Sequence, residues 1–316
     1  MGVPDAGARG DSDPLLVFLH IPKTGGTTLV TMLAQRYAPE TIRKIMMRGM
    51  SLIVPPREKA SGSLISASKI RRLKRALRDP ERVRLIHGHF DLSLERLLPS
   101  RASLFTILRD PVERAISHYY HYRRQSNDPA NGLAMRSTLA EWVSARGLVE
   151  MDNGQTRRLA GEMRLPVGRV SERMLEKAKE NLASKFSVIG LTERFEESQV
   201  LLSRAFGWRY TRPAVRNVGT NRPARSGISE AELRLIRNCN CFDVELYRFA
   251  AELFARSAAN VNMDTELSLL RSAQENIGSV RQDLRGAVLN VRRRASLVRE
   301  LLSAGLFQHL RRRMGH

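Results

Sequence analysis

The chain has 316 residues, of which 42% are hydrophobic and 27% are charged, and its mean hydropathy is −0.32. These values argue against a disordered or membrane-embedded protein, and the length allows one large domain or two ordinary ones. A formal net charge of +21 favours anionic partners, namely nucleotides, acidic glycans, nucleic acid or a lipid surface. Because most of the basic residues are arginine, a host that uses arginine for surface charge would produce the same excess.

The N-terminal residues 1–14 are rich in glycine, alanine and aspartate, which predicts a disordered start. They lack the apolar core of a secretory signal, and no later segment is long and apolar enough to span a bilayer. The two cysteines, Cys239 and Cys241, are separated by one residue, which is too close for an ordinary disulfide and gives no zinc site. We therefore expect a cytoplasmic protein in a reducing compartment.

A predicted strand and a glycine loop follow the N-terminal residues. Residues 15–21 (LLVFLHI) form a nearly continuous apolar run, the pattern of a parallel strand buried on both faces. A proline and two glycines end it, and residues 27–37 resume with helical spacing of apolar side chains. The order is therefore strand, glycine loop, helix.

The later elements repeat this alternation. Residues 51–79 are polar and strongly basic and predict a loop followed by an exposed helix. Further strands are predicted at residues 83–87, 104–108 and 186–190, with helices that include residues 112–124 and 173–182. The alternation predicts the α/β fold class, with a P-loop-like, mainly parallel sheet and helices on both faces.

The C-terminal part of the chain has a different pattern. Apolar residues recur at every seventh position from Met263 to Val298, which is typical of a seam on a long helix. Because the seam is imperfect, a helix packed on its own domain is an equally good interpretation. We expect a main domain over residues 15–256 and a basic helical tail over residues 257–316. The seam predicts a homo-oligomer, and the tail's arginines favour a competing role on an anionic membrane surface.

The strongest chemical motif is HIPKTGGTT at residues 20–28. Two glycines let the backbone approach a ligand closely, and the helix that follows directs free N–H groups at an anion. Lys23 adds a mobile cation, and the threonines add hydroxyl donors. It is not the Walker A pattern, in which the lysine follows the glycines. A tight glycine turn would be the purely structural interpretation, but it would not need PKT before the glycines or TT after them.

A second motif, RDPVERAISHYYHYR, occupies residues 109–123. It begins where a predicted strand ends, and Pro111 lies just inside the helix that follows. Arg109 at the strand end and Ser117 on the helix can converge on one phosphate, as guanidinium and hydroxyl donors. Arg114 is predicted to share a face with Ser117. Taken alone, the pair of Arg109 and Ser117 is also compatible with a surface helix and a capping salt bridge.

Together the two motifs resemble the sulfotransferases that use 3′-phosphoadenosine 5′-phosphosulfate (PAPS), in particular the carbohydrate branch with the heparan sulfate 2-O- and 6-O-sulfotransferases. The resemblance extends more weakly through residues 153–161, 189–195 and 243–247, and so covers roughly residues 15–254. It implies a PAPS donor whose 3′-phosphate is held by Arg109 and Ser117. It also implies a 5′-phosphosulfate site formed by Lys23, Thr24, Gly25, Gly26, Thr27 and Thr28. The Golgi members have a membrane anchor with no counterpart here, which favours a bacterial-type, cytoplasmic version.

The segment LIHGHF at residues 85–90 carries histidines at a strand end, where α/β enzymes place catalytic groups. On the residues alone, such a histidine is more often a structural donor. By resemblance to the 2-O-sulfotransferases, His89 is the catalytic base, and His87 is the reserve candidate. Histidine can accept a hydroxyl proton at neutral pH, and Lys23 would stabilise the leaving phosphate. We expect no metal cofactor.

Other segments are less specific. The loop at residues 217–223 (NVGTNRP) resembles loops that close over the donor, which makes Arg222 a candidate donor contact or a surface turn residue. Asn153, Gln155 and Arg157 either face the acceptor or form an ordinary helix surface. The acceptor is expected to be a hydroxyl of a carbohydrate or glycolipid. A P-loop kinase and a basic nucleic-acid-binding protein are the alternatives, although nucleic acid is not an expected partner because no recognised binding motif is present.

Overall fold

Five strands, all parallel, form the central sheet in the computed structural model, which describes residues 14–46, 67–79, 82–125, 129–145, 147–210 and 227–275. The strands lie in the order β2-β3-β1-β4-β5. They are β1 (Leu15–Leu19), β2 (Ile42–Met46), β3 (Leu85–His89), β4 (Ala102–Leu108) and β5 (Phe186–Leu191). Every neighbouring pair is parallel, which confirms the predicted α/β fold class.

The central strand β1 is buried along its whole length, which explains why its residues read as an uninterrupted apolar run. Strand β2 was not predicted from the sequence. It lies at one edge of the sheet, and its residues IRKIM include two exposed or half-exposed basic side chains, a composition that edge strands tolerate. Strand β3 begins and ends two residues later than predicted, so His89 is its last residue.

Ten α-helices lie between and after the strands over the described residues from Gly26 to Ala259. They are α1 (Gly26–Leu33), α2 (Ala67–Ala76), α3 (Pro111–Arg123), α4 (Pro129–Arg136), α5 (Leu139–Ser144), α6 (Gly154–Ala160), α7 (Glu172–Lys185), α8 (Phe195–Phe206), α9 (Glu230–Cys239) and α10 (Cys241–Ala259). Helix α1 is shorter than predicted, because the chain leaves it after Leu33 in turns that precede β2. None of the helices in the described ranges has the length and hydrophobicity to cross a membrane.

Two hydrophobic cores organise the fold. The larger one surrounds the sheet and includes buried residues of all five strands and of α1, α7, α8 and α10. The second lies around α3, α4, α5 and α9, with the fully buried Trp142 among its members. Asp110 caps α3 by accepting the backbone N–H of Glu113 (2.9 Å), so the helix of the second motif begins directly after β4. Both motifs therefore lie at the carboxyl ends of strands of the sheet, after β1 and after β4.

The chain divides into two compact units. The first comprises Met1–Arg209 and Pro213–Leu267, and the second comprises Tyr210–Arg212 and Ser268–His316. Residues 263–267 at the end of the first unit and residues 268–275 of the second are helical. Most of the predicted heptad seam lies outside the described residues, so self-association and membrane binding through the tail stay predictions.

Cys239 and Cys241 are free thiols.

Candidate active site

The phosphate loop is the turn at residues 20–26 that joins β1 to α1. Lys23 and Gly25 both have left-handed backbone conformations, with φ 69° and 78°. The backbone N–H of His20 donates to the carbonyl of Gly88 (3.0 Å), which ties the loop to β3. Gly25 caps α1 without any side-chain hydrogen bond, so the first-turn N–H groups face the loop with the positive end of the helix dipole. This geometry is that of an anion cradle.

Neighbouring rings require glycine at both positions of the pair. A Cβ on Gly26 would lie 2.1 Å from Nε2 of His20, so no side chain fits there unless the histidine moves. A Cβ on Gly25 would lie 3.3 Å from the ring of Phe195, and the positive φ adds strain for any other residue. The glycines therefore allow two rings to pack directly against the loop backbone.

The three threonines of the motif differ in exposure. Thr24 is fully buried, and its hydroxyl donates to the carbonyl of Ile21 (2.9 Å). The hydroxyl hydrogen is thus used inside the loop, so a contact of Thr24 with the donor is left to its backbone N–H. Thr27 is exposed and Thr28 is half-buried, and both lie in the first turn of α1, where a hydroxyl can meet an anion.

Arg109 connects the two sequence motifs. Its Nη1 donates to the carbonyl of Lys23 (3.1 Å) across 86 residues of chain. A residue such as Lys23 at positive φ costs about 1–2 kcal/mol, and such strain persists at functional sites where the surroundings maintain it. The arginine predicted to bind one end of the donor therefore also maintains the loop predicted to bind the other end.

The electrostatic environment of the loop is positive. Burial, followed by the neighbouring charges of Arg109 and Arg124, lowers the pKa of Lys23 to about 8. A cation whose pKa is lowered in this way gains stability from any anion that binds beside it. The loop is therefore prepared electrostatically for a phosphate or sulfate group.

Arg109 is held from several sides. Its backbone N–H donates to Oε1 of Gln155 (3.1 Å), and Nε2 of Gln155 donates back to its carbonyl (2.9 Å). Its guanidinium lies 3.6 Å from a carboxylate oxygen of Glu113 and 3.8 Å from one of Glu193. Only 17% of the side chain is exposed, so the guanidinium is partly accessible but confined.

The helix residues of the second motif separate into buried and accessible positions. Ser117 is half-buried and lies within the second turn of α3. Arg114 and His118 are each 1% exposed. Arg114 therefore belongs to the interior, whereas Ser117 remains partly accessible to a ligand.

His89 lies at the carboxyl end of β3, beside the phosphate loop. Its Nδ1 is 2.8 Å from the carbonyl oxygen of His20. Because a carbonyl only accepts, Nδ1 carries the hydrogen and Nε2 is left as the proton-accepting nitrogen. Burial, followed by the charge of Arg158, lowers the pKa of His89 to about 4, so the ring is neutral at physiological pH. A neutral imidazole with a defined tautomer is the form that a general base needs.

His87 and His20 surround this histidine. His87 is 8% exposed, lies beside Lys44 on β2, and has a pKa of about 4 because of burial and that lysine. The ring of His20 is 4.3 Å from that of His89 between centroids and is stacked on Phe18 at 5.1 Å. His20 lies within the first motif, yet its contact with His89 was not predicted, since no local pattern reports on neighbouring strands.

A buried network of ion pairs lies next to His89. Glu150 pairs with Arg114 (3.2 Å) and with Arg158, and all three are 5% exposed or less. Burial opposes ionisation of Glu150, but the two arginines hold its pKa at about 2. Arg158 also donates to the carbonyl of Phe90 (3.1 Å), next to His89. The network thus links α3 and α6 to the end of β3.

Asn153, Gln155 and Arg157 neither face an acceptor nor form a helix surface, because all three are at most 3% exposed. Oδ1 of Asn153 accepts the backbone N–H groups of Phe242 (2.9 Å) and Asp243 (3.1 Å) at the start of α10. Arg157 pairs with Asp152. Their polar character gave a misleading signal of exposure, since each side chain satisfies buried backbone or charged groups.

Arg222 lies outside the described residues. Within the described ranges, no group of three or more histidine, cysteine, aspartate or glutamate side chains is arranged to hold a metal ion.

Comparisons with known proteins show similarity to sulfotransferases. The sequence model of a family described as galactose-3-O-sulfotransferase matches residues 4–292. Heparan-sulfate 6-O-sulfotransferase 1 of Homo sapiens is 26% identical over 281 residues, covering 77% of this chain and 66% of that protein. Heparan-sulfate 6-O-sulfotransferase 2 of Gallus gallus is 27% identical over 293 residues, covering 83% and 72%. The chain thus spans about two thirds of the length of these relatives.

A sulfotransferase from Alicyclobacillus acidocaldarius aligns with 79% of this chain and 97% of its own, at 16% identity and a TM-score of 0.42.

Proposed function

Because the chain belongs to the galactose-3-O-sulfotransferase family, we propose that it transfers a sulfuryl group from PAPS to a hydroxyl of a carbohydrate. The observation that carries the proposal is the meeting of three groups at one edge of the sheet. An anion cradle follows β1, Arg109 follows β4 and touches the cradle, and His89 ends β3 with Nε2 as its proton acceptor. Cations and a base at adjacent positions are what transfer of an anionic group to a hydroxyl requires.

The donor fits the residues present. Its two anionic ends require two cationic positions, and the loop with Lys23 and the side chain of Arg109 are such positions. Ser117 can add a hydroxyl donor to the 3′-phosphate. When bound, PAPS supplies a sulfuryl group on a phosphate leaving group.

The chain's own residues then perform the remaining chemistry. Nε2 of His89 takes the proton of the acceptor hydroxyl as the hydroxyl oxygen bonds to sulfur. The bond between sulfur and the bridging phosphate oxygen breaks, and the ammonium of Lys23 and the first-turn N–H groups of α1 stabilise the charge that develops there. Preorganised donors at developing charge are usually the largest catalytic contribution.

The acceptor is proposed to be a sugar on the basis of the relatives. The family description names galactose, and the curated relatives act on heparan sulfate by their names. Both are carbohydrates, and the net charge of +21 is compatible with an acidic glycan.

Transfer of label from radiolabelled PAPS tests the reaction. The acceptor panel contains heparan sulfate and galactose-terminated glycans, with EDTA present, and the expected result is a labelled glycan. Incubation with labelled ATP and Mg²⁺ is the control for a kinase. Label from ATP without label from PAPS would overturn the proposal.

The assignment of the base has its own test. His89→Ala should lower kcat by about 10²–10⁴-fold and leave the affinity for PAP, the spent donor, nearly unchanged. His87→Ala is the matched variant and should retain most of kcat. Loss of turnover in His87→Ala with near-normal turnover in His89→Ala would move the base to His87.

A further inference from the structure

The three weaker motifs at residues 153–161, 189–195 and 243–247 meet around Arg109, although none of them has a role in the proposed reaction. Each contributes one side chain to the support of this arginine. Gln155 of α6 holds its backbone from both directions, as described above. Glu193 lies in the turn after β5, and Tyr247 lies on α10.

Glu193 lies beside the guanidinium, as Glu113 does. Its Oε1 lies 3.8 Å from Nε of Arg109 and accepts the backbone N–H of Asp110 (3.1 Å). Its other oxygen, Oε2, accepts the hydroxyl of Tyr247 (2.7 Å). Burial and the carboxylate of Glu193 raise the pKa of Tyr247, so the phenol stays protonated and remains a donor.

Helix α10 provides both the tyrosine and the anchor for the glutamine. Asp243 accepts the backbone N–H groups of Gln155 (3.1 Å) and Thr156 (2.7 Å). Tyr247 follows Asp243 by four residues and so lies on the same face of the helix. Asp243 on this face therefore contacts Gln155, which binds the backbone of Arg109. Tyr247 on the same face contacts Glu193, which lies beside the guanidinium.

We propose that Tyr247 is a positioning residue that, through Glu193, orients the guanidinium of Arg109 for the 3′-phosphate of the donor. The inference rests on the proposed function. Nη1 of Arg109 donates to the carbonyl of Lys23, Nη2 lies 3.6 Å from Glu113, and Nε lies 3.8 Å from Glu193. Glu193 therefore adds to the contacts that fix the plane of the guanidinium. Ordering a free arginine on binding would cost about 0.5–1.5 kcal/mol, which is a factor of about 2–10 in affinity. The tyrosine therefore sets how well the protein distinguishes a 3′-phosphate from its absence.

The measurement is the ratio of the dissociation constants for AMP and PAP, which differ by the 3′-phosphate. We expect Tyr247→Phe to weaken PAP binding by about 2–10-fold without changing AMP binding. In an Arg109→Ala background the same substitution should have no further effect on the ratio, because coupled residues are not additive. Tyr37→Phe is the matched control, since it also removes one hydroxyl, which accepts Nε1–H of Trp208 (3.1 Å), and it should leave the ratio unchanged.

The outcomes distinguish a failure of the proposed donor from a failure of the positioning role of Tyr247. A wild-type protein that binds AMP as tightly as PAP would refute the proposed donor. A wild-type preference that Arg109→Ala abolishes and Tyr247→Phe leaves intact would refute only the positioning role. Equal weakening of PAP and AMP by Tyr247→Phe, or an effect that persists without Arg109, would also overturn it, because either result indicates a general structural role.

Discussion

Replacement of Lys23 by arginine tests whether the lysine ammonium contributes to donor binding. Burial, aided by Arg109 and Arg124, lowers the pKa of Lys23 to about 8. The ammonium is therefore lost as the pH rises above that value. The phosphates of PAP stay almost fully ionised over this range, because their second pKa is about 6. Arginine remains charged throughout. Lys23→Arg therefore keeps a positive charge at this position but does not titrate over this pH range.

The expected size follows from the linkage of protonation and binding. If only the protonated form binds well, a pKa of about 8 means that the dissociation constant for PAP rises about tenfold between pH 7 and pH 9, or ~1.4 kcal/mol. Calorimetric titration at pH 7, 8 and 9 and constant ionic strength measures this. Lys23→Arg should show no such rise, whatever its absolute affinity. A wild-type affinity that is flat to pH 9, or an unchanged rise in Lys23→Arg, would refute the reasoning.

Two further predictions concern stability. A Cβ on Gly88 would lie 1.8 Å from the backbone oxygen of Ile45, so Gly88→Ala should cost at least ~3 kcal/mol in urea unfolding. Gly168 also has a positive φ, 79° against 149° at Gly88, but nothing lies within 4 Å of the Cβ position, so Gly168→Ala should cost only ~1–2 kcal/mol; equal costs would contradict the steric account. Burial holds the pKa of His118 at about 3, below its unfolded value, so native stability is lost as the pH falls below ~6.5. Between pH 7 and pH 5 the wild type should therefore lose ~2 kcal/mol more than His118→Phe, and parallel losses in the two proteins would exclude this origin.

The elements nearest the phosphate loop were predictable because their signals are local. The buried strand, the glycines and the helix start that form the cradle are adjacent in the chain, and backbone geometry over ten residues follows from residue type. The RDP motif is local in the same way, since Asp110 and Pro111 begin α3 directly after β4. Strand β2 was missed because an edge strand needs only one buried face and can carry basic residues.

The sequence by itself thus predicted an anion cradle, a cationic strand end and a histidine at a strand end as the candidate base. Only the tertiary structure decided what they touch. The bond from Arg109 to the carbonyl of Lys23 and that from Tyr247 to Glu193 join residues on different elements, and polar side chains such as Gln155 are buried against partners far along the chain. The physical reason is that local pattern sets the conformation of an element, whereas the order of the strands and the packing of α10 decide which elements become neighbours.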